Sequence, residues 1–220
     1  MKQKRNRPLL VAITGNIGSG KTLTTSILEE KGYPVINADH ITRKLLKSPN
    51  VVQELITTWG AKILTNNTFD RTKLRCLVFN NQRYRNQLNK YLHPLILHEM
   101  QNDLQMYQEL SSSVIFFEIP LLFECGLEKC FDYNILVCAK EEIRFQRIIQ
   151  RENYTPLLAK SMMKSQIPEK IKISHADLVL QNNSDLENLV IQIDVLIQLF
   201  PYLKRHKKLK KLTCCKNNNN

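Results

Sequence analysis

The chain has 220 residues, of which 43% are hydrophobic and 24% charged, and its formal net charge is +12. Such a composition is typical of a globular protein with one sizeable core, and this length leaves room for an inserted subdomain. No stretch of 18 consecutive apolar residues occurs, and the first apolar run reaches only from Pro8 to Ile13. We therefore expect a cytoplasmic protein with no signal peptide, no membrane-spanning helix and no membrane partner.

The excess positive charge lies at the two ends of the chain. Residues 1–7 and 204–220 hold eleven basic residues and no acid, which leaves 21 basic against 20 acidic residues in between. A basic tail can bind RNA or a membrane surface, but no aromatic residue is interleaved with these charges to stack on bases. We interpret both ends as solvated, flexible tails and do not expect a nucleic-acid partner.

The first predicted elements are a strand at Leu9–Thr14, a glycine-rich loop and a helix from Leu23 to Lys31. The loop reads Gly-Asn-Ile-Gly-Ser-Gly-Lys-Thr over residues 15–22 and matches G-x-x-x-x-G-K-[ST] at every fixed position. Glycines let such a loop fold around phosphate oxygens, Lys21 reaches the β- and γ-phosphates, and the Thr22 hydroxyl can ligate Mg²⁺. The order strand, loop, helix therefore predicts a nucleoside triphosphate site. Its loop residues are Gly15, Asn16, Ile17, Gly18, Ser19, Gly20, Lys21 and Thr22.

A second strand is predicted at 34–37, and the helix after it has Asp39 as its N-cap. Because Asp39 directly follows a strand, we expect it at the same carboxyl edge of the sheet as the loop. There its carboxylate can accept the proton of an acceptor hydroxyl. A helix cap without chemistry is an equally good interpretation of the same residue.

The region from Val51 to about Leu110 has a helical pattern with no convincing strand. We predict helices over 51–59 and 71–80, and one or two more from Gln82 to Leu110. Pro94 indicates a helix start because proline suits the first turn of a helix. His93 before it has no metal-ligand partner in the sequence, and such a histidine is most often structural.

Strands and helices alternate in the second half of the chain. Buried strands are predicted at 114–119, 134–138 and 178–180, and helices at 141–151, from Thr155-Pro156 onward, and after a capping box at Ser184 and Glu187. This alternation predicts an α/β fold with a parallel sheet and right-handed crossovers. Two all-helical excursions, roughly 45–110 and 140–172, interrupt it.

Two further features are candidates for phosphate chemistry. Glu118 is an acid within an apolar strand, and burying an unpaired carboxylate costs several kcal/mol, so we predict a Mg²⁺ ion or a cationic partner. A solvent-facing edge position is the alternative. Arg144, Arg147 and Arg151 are spaced by three and four residues, which places them on one helical face. We interpret this face as a lid that binds phosphates, with a solvated basic face as the alternative.

With these residues in hand, the chain resembles the dephospho-coenzyme A kinase family over most of residues 8–200. The resemblance rests on the order and spacing of several short motifs. They are Thr14-Gly15-x-Ile17-Gly18-Ser19-Gly20-Lys21, Val35-Ile36-Asn37-Ala38-Asp39, Leu92-His93-Pro94, Pro120-Leu121-Leu122-Phe123-Glu124, Gln146-Arg147-x-x-x-Arg151, Gln166, Ala176-Asp177 and Asn182-Asn183.

This resemblance implies a P-loop NTPase fold of the nucleotide-kinase type, in a single domain over 8–203. The parallel-sheet core would comprise 8–44, 111–139 and 173–203, with a helical CoA-binding subdomain at about 45–110 and a helical lid at about 140–172. The implied reaction uses ATP and Mg²⁺ to phosphorylate the 3′-hydroxyl of the dephospho-CoA ribose, which is the last step of coenzyme A synthesis. We expect a monomer or a weak homo-oligomer.

The family's residue roles carry over to matching positions of this chain. The implied catalytic residues are Asp39, Lys21 and Arg147. Arg147, Arg151 and Asn183 join the loop as implied ATP ligands, and Thr22 and Glu118 are the implied Mg²⁺ ligands. Substrate contacts are implied for Asp39, His93, Arg75, Leu121 and Glu124.

The chain departs from the family pattern at two places. Asn37 stands where the family usually has the first aspartate of Asp-Ala-Asp, and Glu152-Asn153-Tyr154 lacks the aspartate often found after the second arginine. Losing the first carboxylate leaves catalysis intact if Asp39 is the base, but it affects a metal or hydrogen-bond contact.

Other functions fit parts of the sequence. Another small-molecule or nucleoside monophosphate kinase would share the same fold, and an ATP-binding protein without turnover would keep the loop. A GTPase would need an Asn-Lys-x-Asp motif, which the sequence does not contain. A nucleic-acid-binding module would have to rely on the basic ends.

Overall fold

The computed structural model describes residues 7–110, 112–152, 155–205 and 212, without the side chains of Asn80, Arg151 and Glu152. Its strands form a five-stranded parallel sheet in the order β2-β5-β1-β6-β7 and a separate two-stranded hairpin of β3 and β4. The strands are β1 (Leu9–Thr14), β2 (Val35–Asn37), β3 (Leu64–Thr65), β4 (Thr68–Phe69), β5 (Val114–Glu118), β6 (Tyr133–Cys138) and β7 (Leu178–Gln181).

The helices fill the connections between the strands. They are α1 (Lys21–Glu30), α2 (Ala38–Leu45), α3 (Pro49–Trp59), α4 (Arg71–Asn80), α5 (Gln82–Glu109), α6 (Glu141–Glu152), α7 (Pro156–Lys164), α8 (Glu169–Ile173) and α9 (Leu186–Leu199). Short 3-10 turns lie at Gly60–Ile63, Glu128–Cys130 and Phe200–Tyr202. The predicted α/β fold with a parallel sheet is therefore confirmed.

The sheet brings the carboxyl ends of its central strands to one edge. β1 lies between β5 and β6, with Ile13 paired with Glu118 on one side and Ile135 on the other. Every residue of β1 and β5 is buried, as an apolar run inside a parallel sheet requires. On one face, Leu28 of α1 and Ile193 of α9 pack against the sheet around Phe116. The loop after β1 is thus supported by a fully buried strand.

The chain divides into two compact units. The first comprises Met1–Asn37 and Asp103–Asn220 and contains the parallel sheet, and the second is Ala38–Asn102. The second unit has its own apolar core, which consists of Val51, Leu55, Trp59, Ile63, Leu74 and Leu92. The predicted boundaries of a helical subdomain at 45–110 and a lid at 140–172 stay predictions.

The prediction of a helix start at Pro94 is wrong, because α5 is continuous from Gln82 to Glu109. Proline removes one backbone donor from a helix interior but does not always end the helix. Here Leu92, Leu97 and Met100 are buried on both sides of Pro94. Burial of that apolar face outweighs the local cost of the proline.

The prediction that this region contains no strand is also wrong. Leu64 pairs with Phe69 and Thr65 with Thr68 in an antiparallel hairpin. Two asparagines form its turn, Asn66 with φ 49° and Asn67 with φ 60°. Asparagine tolerates the left-handed region that a tight two-residue hairpin turn needs. Strands of two residues give too little alternation to be detected from sequence.

Two predicted helix caps are displaced by about one residue. α2 begins at Ala38, directly after β2, so Asp39 lies inside the first turn and is not the N-cap. For α9 the N-cap is Asp185, whose carboxylate accepts from the backbone N–H of Asn188, and not Ser184. The predicted cap at Thr155 is confirmed, since its hydroxyl accepts from the backbone N–H of Leu158.

Candidate active site

The loop between β1 and α1 needs glycine for two different reasons. Gly20 has φ 97° and precedes the first residue of α1, and a Cβ added to it would collide with the side-chain amide of Asn182. Gly18 has φ 77°, and its Cβ would lie 2.7 Å from the carbonyl oxygen of Arg144. Both positions require the left-handed backbone region and a close approach of neighbouring chain. Glycine at positions 18 and 20 is therefore a geometrical requirement of this loop, and Gly20 is the second fixed glycine of the sequence pattern.

The loop is closed on itself by hydrogen bonds. The Lys21 ammonium donates to the carbonyl oxygens of Gly15 at 2.8 Å and Asn16 at 3.2 Å, and the backbone N–H of Ser19 donates to Asn16 at 3.1 Å. A cavity of about 570 Å³ adjoins the loop. Its lining consists of Ile17, Gly18, Gly20, Lys21, Thr22, Leu23, Arg147, Ile148, Gln150 and Asn182. Among the described residues, two cations and no carboxylate belong to this lining, so the cavity favours an anionic ligand such as a polyphosphate.

Glu118 at the end of β5 is 2% exposed, so the alternative of a solvent-facing edge position is wrong. Its carboxylate accepts three hydrogen bonds from side chains of neighbouring elements. The Thr22 hydroxyl donates to Oε1 at 2.8 Å, the Thr25 hydroxyl donates to Oε2 at 2.8 Å, and the Asn37 amide donates to Oε2 at 2.5 Å. These donors compensate the burial of the charge.

The Asn37 contact gives the departure from the family pattern a physical meaning. An amide N–H can donate to a carboxylate, whereas an aspartate at this distance would place two negative charges together. Asn37 pairs with Glu118 in the sheet register as well, where β2 runs parallel to β5. In this chain the Asn37 amide therefore donates a hydrogen bond to Glu118 where the family's usual aspartate would have no donor to offer.

The donor set at Thr22 and Glu118 fits Mg²⁺. Both groups offer oxygen atoms, their oxygens lie 2.8 Å apart, and Thr22 lines the cavity beside the loop. Among the described residues no group of three or more His, Cys, Asp or Glu side chains is placed to hold a metal. Mg²⁺ usually takes only one or two protein ligands and completes its shell with substrate phosphates and water, so this sparse set suits it.

The three arginines of the predicted lid face do not share one environment. The Arg147 guanidinium lines the cavity and donates to the Gly18 carbonyl and to the Asn182 side chain, each at 3.4 Å. Arg144 is 7% exposed, and its Nε donates to the carbonyl oxygen of Ala139 at 3.0 Å. The interpretation of Arg144 as a lid arginine is therefore wrong. The side chain of Arg151 lies outside the described residues, and its role stays a prediction.

Asn182 was missed by the sequence analysis as a site residue, although it lies directly after β7. It is 3% exposed, its amide donates to the Ser19 carbonyl at 2.8 Å, and it lines the cavity. Its neighbour Asn183, the residue predicted to bind ATP, accepts from the backbone N–H of Lys140 at 2.7 Å and donates to Gln181. The signal that could have identified Asn182 is its position at the carboxyl end of a parallel strand.

The remaining predicted substrate residues lie elsewhere in the chain. Three belong to the second unit: Asp39 is exposed in the first turn of α2, Arg75 is exposed in α4, and His93 lies in α5. Burial lowers the pKa of His93 below its ordinary value. Leu121 and Glu124 follow β5 in the first unit, and the Glu124 carboxylate lies 2.7 Å from the ammonium of the fully buried Lys172.

Together these features define the class of protein. A glycine loop follows the central strand of a parallel sheet, a buried acid ends the adjacent strand, and a cationic cavity lies beside the loop. These are the structural requirements of a P-loop enzyme that binds the phosphates of a nucleotide.

The particular family follows from comparison with known proteins. The family model described as dephospho-CoA kinase matches residues 9–188. A dephospho-CoA kinase of Fusobacterium nucleatum is 35% identical over 187 residues, which is 84% of this chain and 95% of that protein. One from Oceanobacillus iheyensis is 32% identical over 192 residues, which is 86% of this chain and 96% of that protein. The chain belongs to the dephospho-CoA kinase family and is a kinase.

Solved structures agree with this assignment. A crystal structure of a Thermus thermophilus protein is similar with a TM-score of 0.77 and 31% identity, covering 88% of this chain and 99% of that one. A dephospho-CoA kinase from Campylobacter jejuni gives a TM-score of 0.63 at 26% identity, covering 86% and 96%. A shikimate kinase from Acinetobacter baumannii shares the fold at a TM-score of 0.52 and 13% identity, covering 90% and 95%. Within the described residues, no helix has the length and apolar character needed to cross a membrane.

Proposed function

We propose that the chain, a kinase of the last step of coenzyme A synthesis, transfers the γ-phosphate of ATP to the 3′-hydroxyl of the dephospho-CoA ribose through its phosphate loop, Asp39 and Arg147. Family membership carries the reaction and its acceptor. The observation that carries the location of the phosphates is the cationic cavity beside a glycine loop whose Thr22 hydroxyl bonds a buried glutamate. Phosphoryl transfer requires mainly positioning and charge neutralisation, and this corner of the sheet offers both.

In this proposal the loop binds the triphosphate. Its backbone N–H groups and the amino end of α1 donate to phosphate oxygens, because helix amino ends favour anions. Lys21 exchanges its contacts with Gly15 and Asn16 for the β- and γ-phosphates. Arg147 reaches the γ-phosphate from the other side of the cavity and stabilises charge that develops on the transferred group.

Thr22 and Glu118 would hold Mg²⁺ in this proposal. The ion would neutralise phosphate charge when bound. Asn37 and Thr25 orient the Glu118 carboxylate through hydrogen bonds to Oε2, which leaves Oε1 toward Thr22.

Asp39 is the proposed base. It lies two residues beyond Asn37, at the carboxyl end of β2, where ligands of parallel sheets bind. The Asp39 carboxylate can accept the proton of the ribose hydroxyl as that oxygen bonds the γ-phosphorus and ADP leaves. His93, Arg75, Leu121 and Glu124 are proposed contacts of the CoA moiety, and residues 45–110 the subdomain that binds it.

The test is a panel of acceptors. Purified protein with ATP and Mg²⁺ receives dephospho-CoA, AMP, adenosine or shikimate, and ADP release is followed beside product mass. We expect CoA from dephospho-CoA only, and no measurable product from Lys21→Ala. Turnover of a rival acceptor in place of dephospho-CoA would overturn the proposed acceptor while leaving the phosphate site intact. ATP binding without any turnover would overturn the kinase reaction itself.

A further inference from the structure

The phosphate loop has a contact that the proposed mechanism does not use. The backbone N–H of Ile17 donates to the side-chain oxygen of Gln166 at 2.7 Å, across 149 residues of sequence. Next to it, the side-chain amide of Asn16 donates to the backbone carbonyl of Ile167 at 3.4 Å. The short connection between α7 and α8 therefore contacts two consecutive residues of the loop, and the bond from Ile17 fixes the orientation of the peptide between them.

The element that presents Gln166 is itself anchored in the first unit. Lys172 of α8 has no solvent exposure, and its ammonium lies 2.7 Å from the Glu124 carboxylate. Burial and the nearby charge of Glu169, the first residue of α8, raise the pKa of the Cys138 thiol to about 12. Cys138 is the last residue of β6 and Glu124 follows β5, so α8 packs against both of these segments. The side-chain oxygen of Gln166, just before α8, therefore has a defined position.

The physical consequence concerns the phosphate-binding N–H groups. A loop of backbone donors binds phosphate well only if its peptides are already oriented, because ordering them during binding reduces affinity. The Ile17 N–H is bonded to Gln166, so the peptide between Asn16 and Ile17 cannot rotate without breaking that bond. The loop continues directly from this peptide, and Gly18, Gly20, Lys21 and Thr22 line the cavity.

We infer that Gln166 is a positioning residue for ATP, which holds the phosphate loop in its binding geometry through the Ile17 N–H. The inference rests on the proposed function of the loop, and it assigns Gln166 no contact with substrate. Its effect is confined to nucleotide phosphates, so affinity for ADP and the KM for ATP change while the KM for dephospho-CoA does not.

The experiment compares Gln166→Met with Ser165→Ala. Methionine keeps the length of the side chain and removes the acceptor oxygen. Ser165 is the matched control, since within the described residues its hydroxyl donates to the Met162 carbonyl at 2.7 Å at the same helix end and does not contact the loop. We expect Gln166→Met to weaken ADP binding, measured by calorimetry, by about three- to tenfold, as for loss of one hydrogen bond. The KM for ATP rises in parallel, and Ser165→Ala matches the unchanged protein.

Three outcomes have distinct meanings. Unchanged ADP affinity in Gln166→Met, with the loss retained in Lys21→Ala, would overturn the inference and leave the phosphate site standing. Unchanged affinity in Lys21→Ala would overturn the proposed function. A drop in the thermal midpoint together with equal rises in both KM values would show a general structural role and would also overturn the inference, and Gln166→Ala tests this with a second side chain.

Discussion

The two compact units carry their candidate site residues in contrasting ways. In the first unit, Glu118 and Asn182 are buried and hydrogen-bonded, with Glu118 receiving three side-chain donors and Asn182 donating to the loop. In the second unit the apolar core around Trp59 supports Asp39 and Arg75, which are both exposed. The interest of the first set rests on hydrogen bonds seen in the fold. The roles of Asp39 and Arg75 rest on the family resemblance.

This difference follows from what each half of the reaction demands. A triphosphate is bound by a backbone conformation, so the glycines, Lys21 and the buried polar groups around them are fixed by geometry. The proposed acceptor contacts Asp39, Arg75 and His93 are side chains on helices, for which sequence spacing gives no comparable constraint. If the two units divide the reaction in this way, substitutions in the first unit change phosphate binding and those in the second change the acceptor step.

The largest effect is expected for Asp39, the proposed base in the second unit. If the second unit supplies the base, Asp39→Asn lowers kcat by about 10²- to 10⁴-fold, the usual range for loss of general-base catalysis. We expect ADP affinity to stay unchanged, because the proposed phosphate site lies in the first unit. Steady-state kinetics with dephospho-CoA and calorimetry with ADP measure the two effects. Glu54→Gln, an exposed acid on α3, is the control. Full activity in Asp39→Asn would remove the proposed base.

Arg147 tests whether the first unit supplies the proposed phosphate site. It lines the cavity, and loss of a donor to transition-state charge typically lowers kcat by about 10²- to 10³-fold. We expect Arg147→Ala to lose this much, and Arg147→Lys to recover only part of it, since an ammonium lacks the planar fork of donors with which a guanidinium binds two phosphate oxygens. Gln146→Ala, at the exposed neighbouring position, serves as control. Equal kcat in Arg147→Ala and the unchanged protein would contradict the role.

Glu118 tests whether the buried polar corner serves the metal. Glu118→Gln brings an amide against the donors of Thr22, Thr25 and Asn37, so at least one donor loses its acceptor. That costs about 1–3 kcal/mol of unfolding free energy. We also expect about a tenfold higher Mg²⁺ concentration at half-maximal activity, as for loss of a ligand or its support. Urea unfolding and Mg²⁺ titration of activity measure these effects, with Ser26→Ala on α1 as control. A variant with lower stability and an unchanged Mg²⁺ requirement would show a structural acid only.

The smallest expected effect concerns His93 and the stability of the folded chain. Burial lowers the pKa of His93, so the unfolded chain binds its proton more readily than the folded one. The stabilising contribution of the neutral ring is therefore complete above its ordinary pKa of about 6.5 and is lost as pH falls through the lowered folded value. His93→Gln should flatten this part of the pH dependence of unfolding, and His98→Gln, at an exposed position, should not. An NMR titration of the ring protons checks the direction of the shift.

Much of the fold could be predicted from the sequence. In the first unit, the strands at Leu9–Thr14 and Leu178–Gln181 are apolar runs with clear limits. In the second unit, the helix predicted over 71–80 has the same limits as α4. These elements are defined by local periodicity and turn residues. The same logic predicted burial for Glu118, because a charge within an apolar strand needs partners.

Other features depend on contacts that no local pattern encodes. Arg144 and Arg147 differ by one helical turn, yet only the first is buried, since burial depends on where α8 packs. The role of Asn37 required the parallel pairing of β2 with β5, and that of Gln166 required a contact over 149 residues. The sequence around Pro94 predicts a helix start, but α5 continues through it because burial of its apolar face outweighs the local effect of the proline.

The bond between Asn182 and Ser19 has a consequence for folding. It joins residues 163 positions apart, and the neighbouring strand pairs of β1 are also distant in sequence. Such long-range contacts form late, because the entropy of closing large loops opposes them. The glycine loop lies near the amino end of the chain, but it reaches its final geometry only after β7 has paired and brought Asn182 to Ser19. Competence to bind nucleotide should therefore arise in the last phase of refolding, after most of the secondary structure has formed.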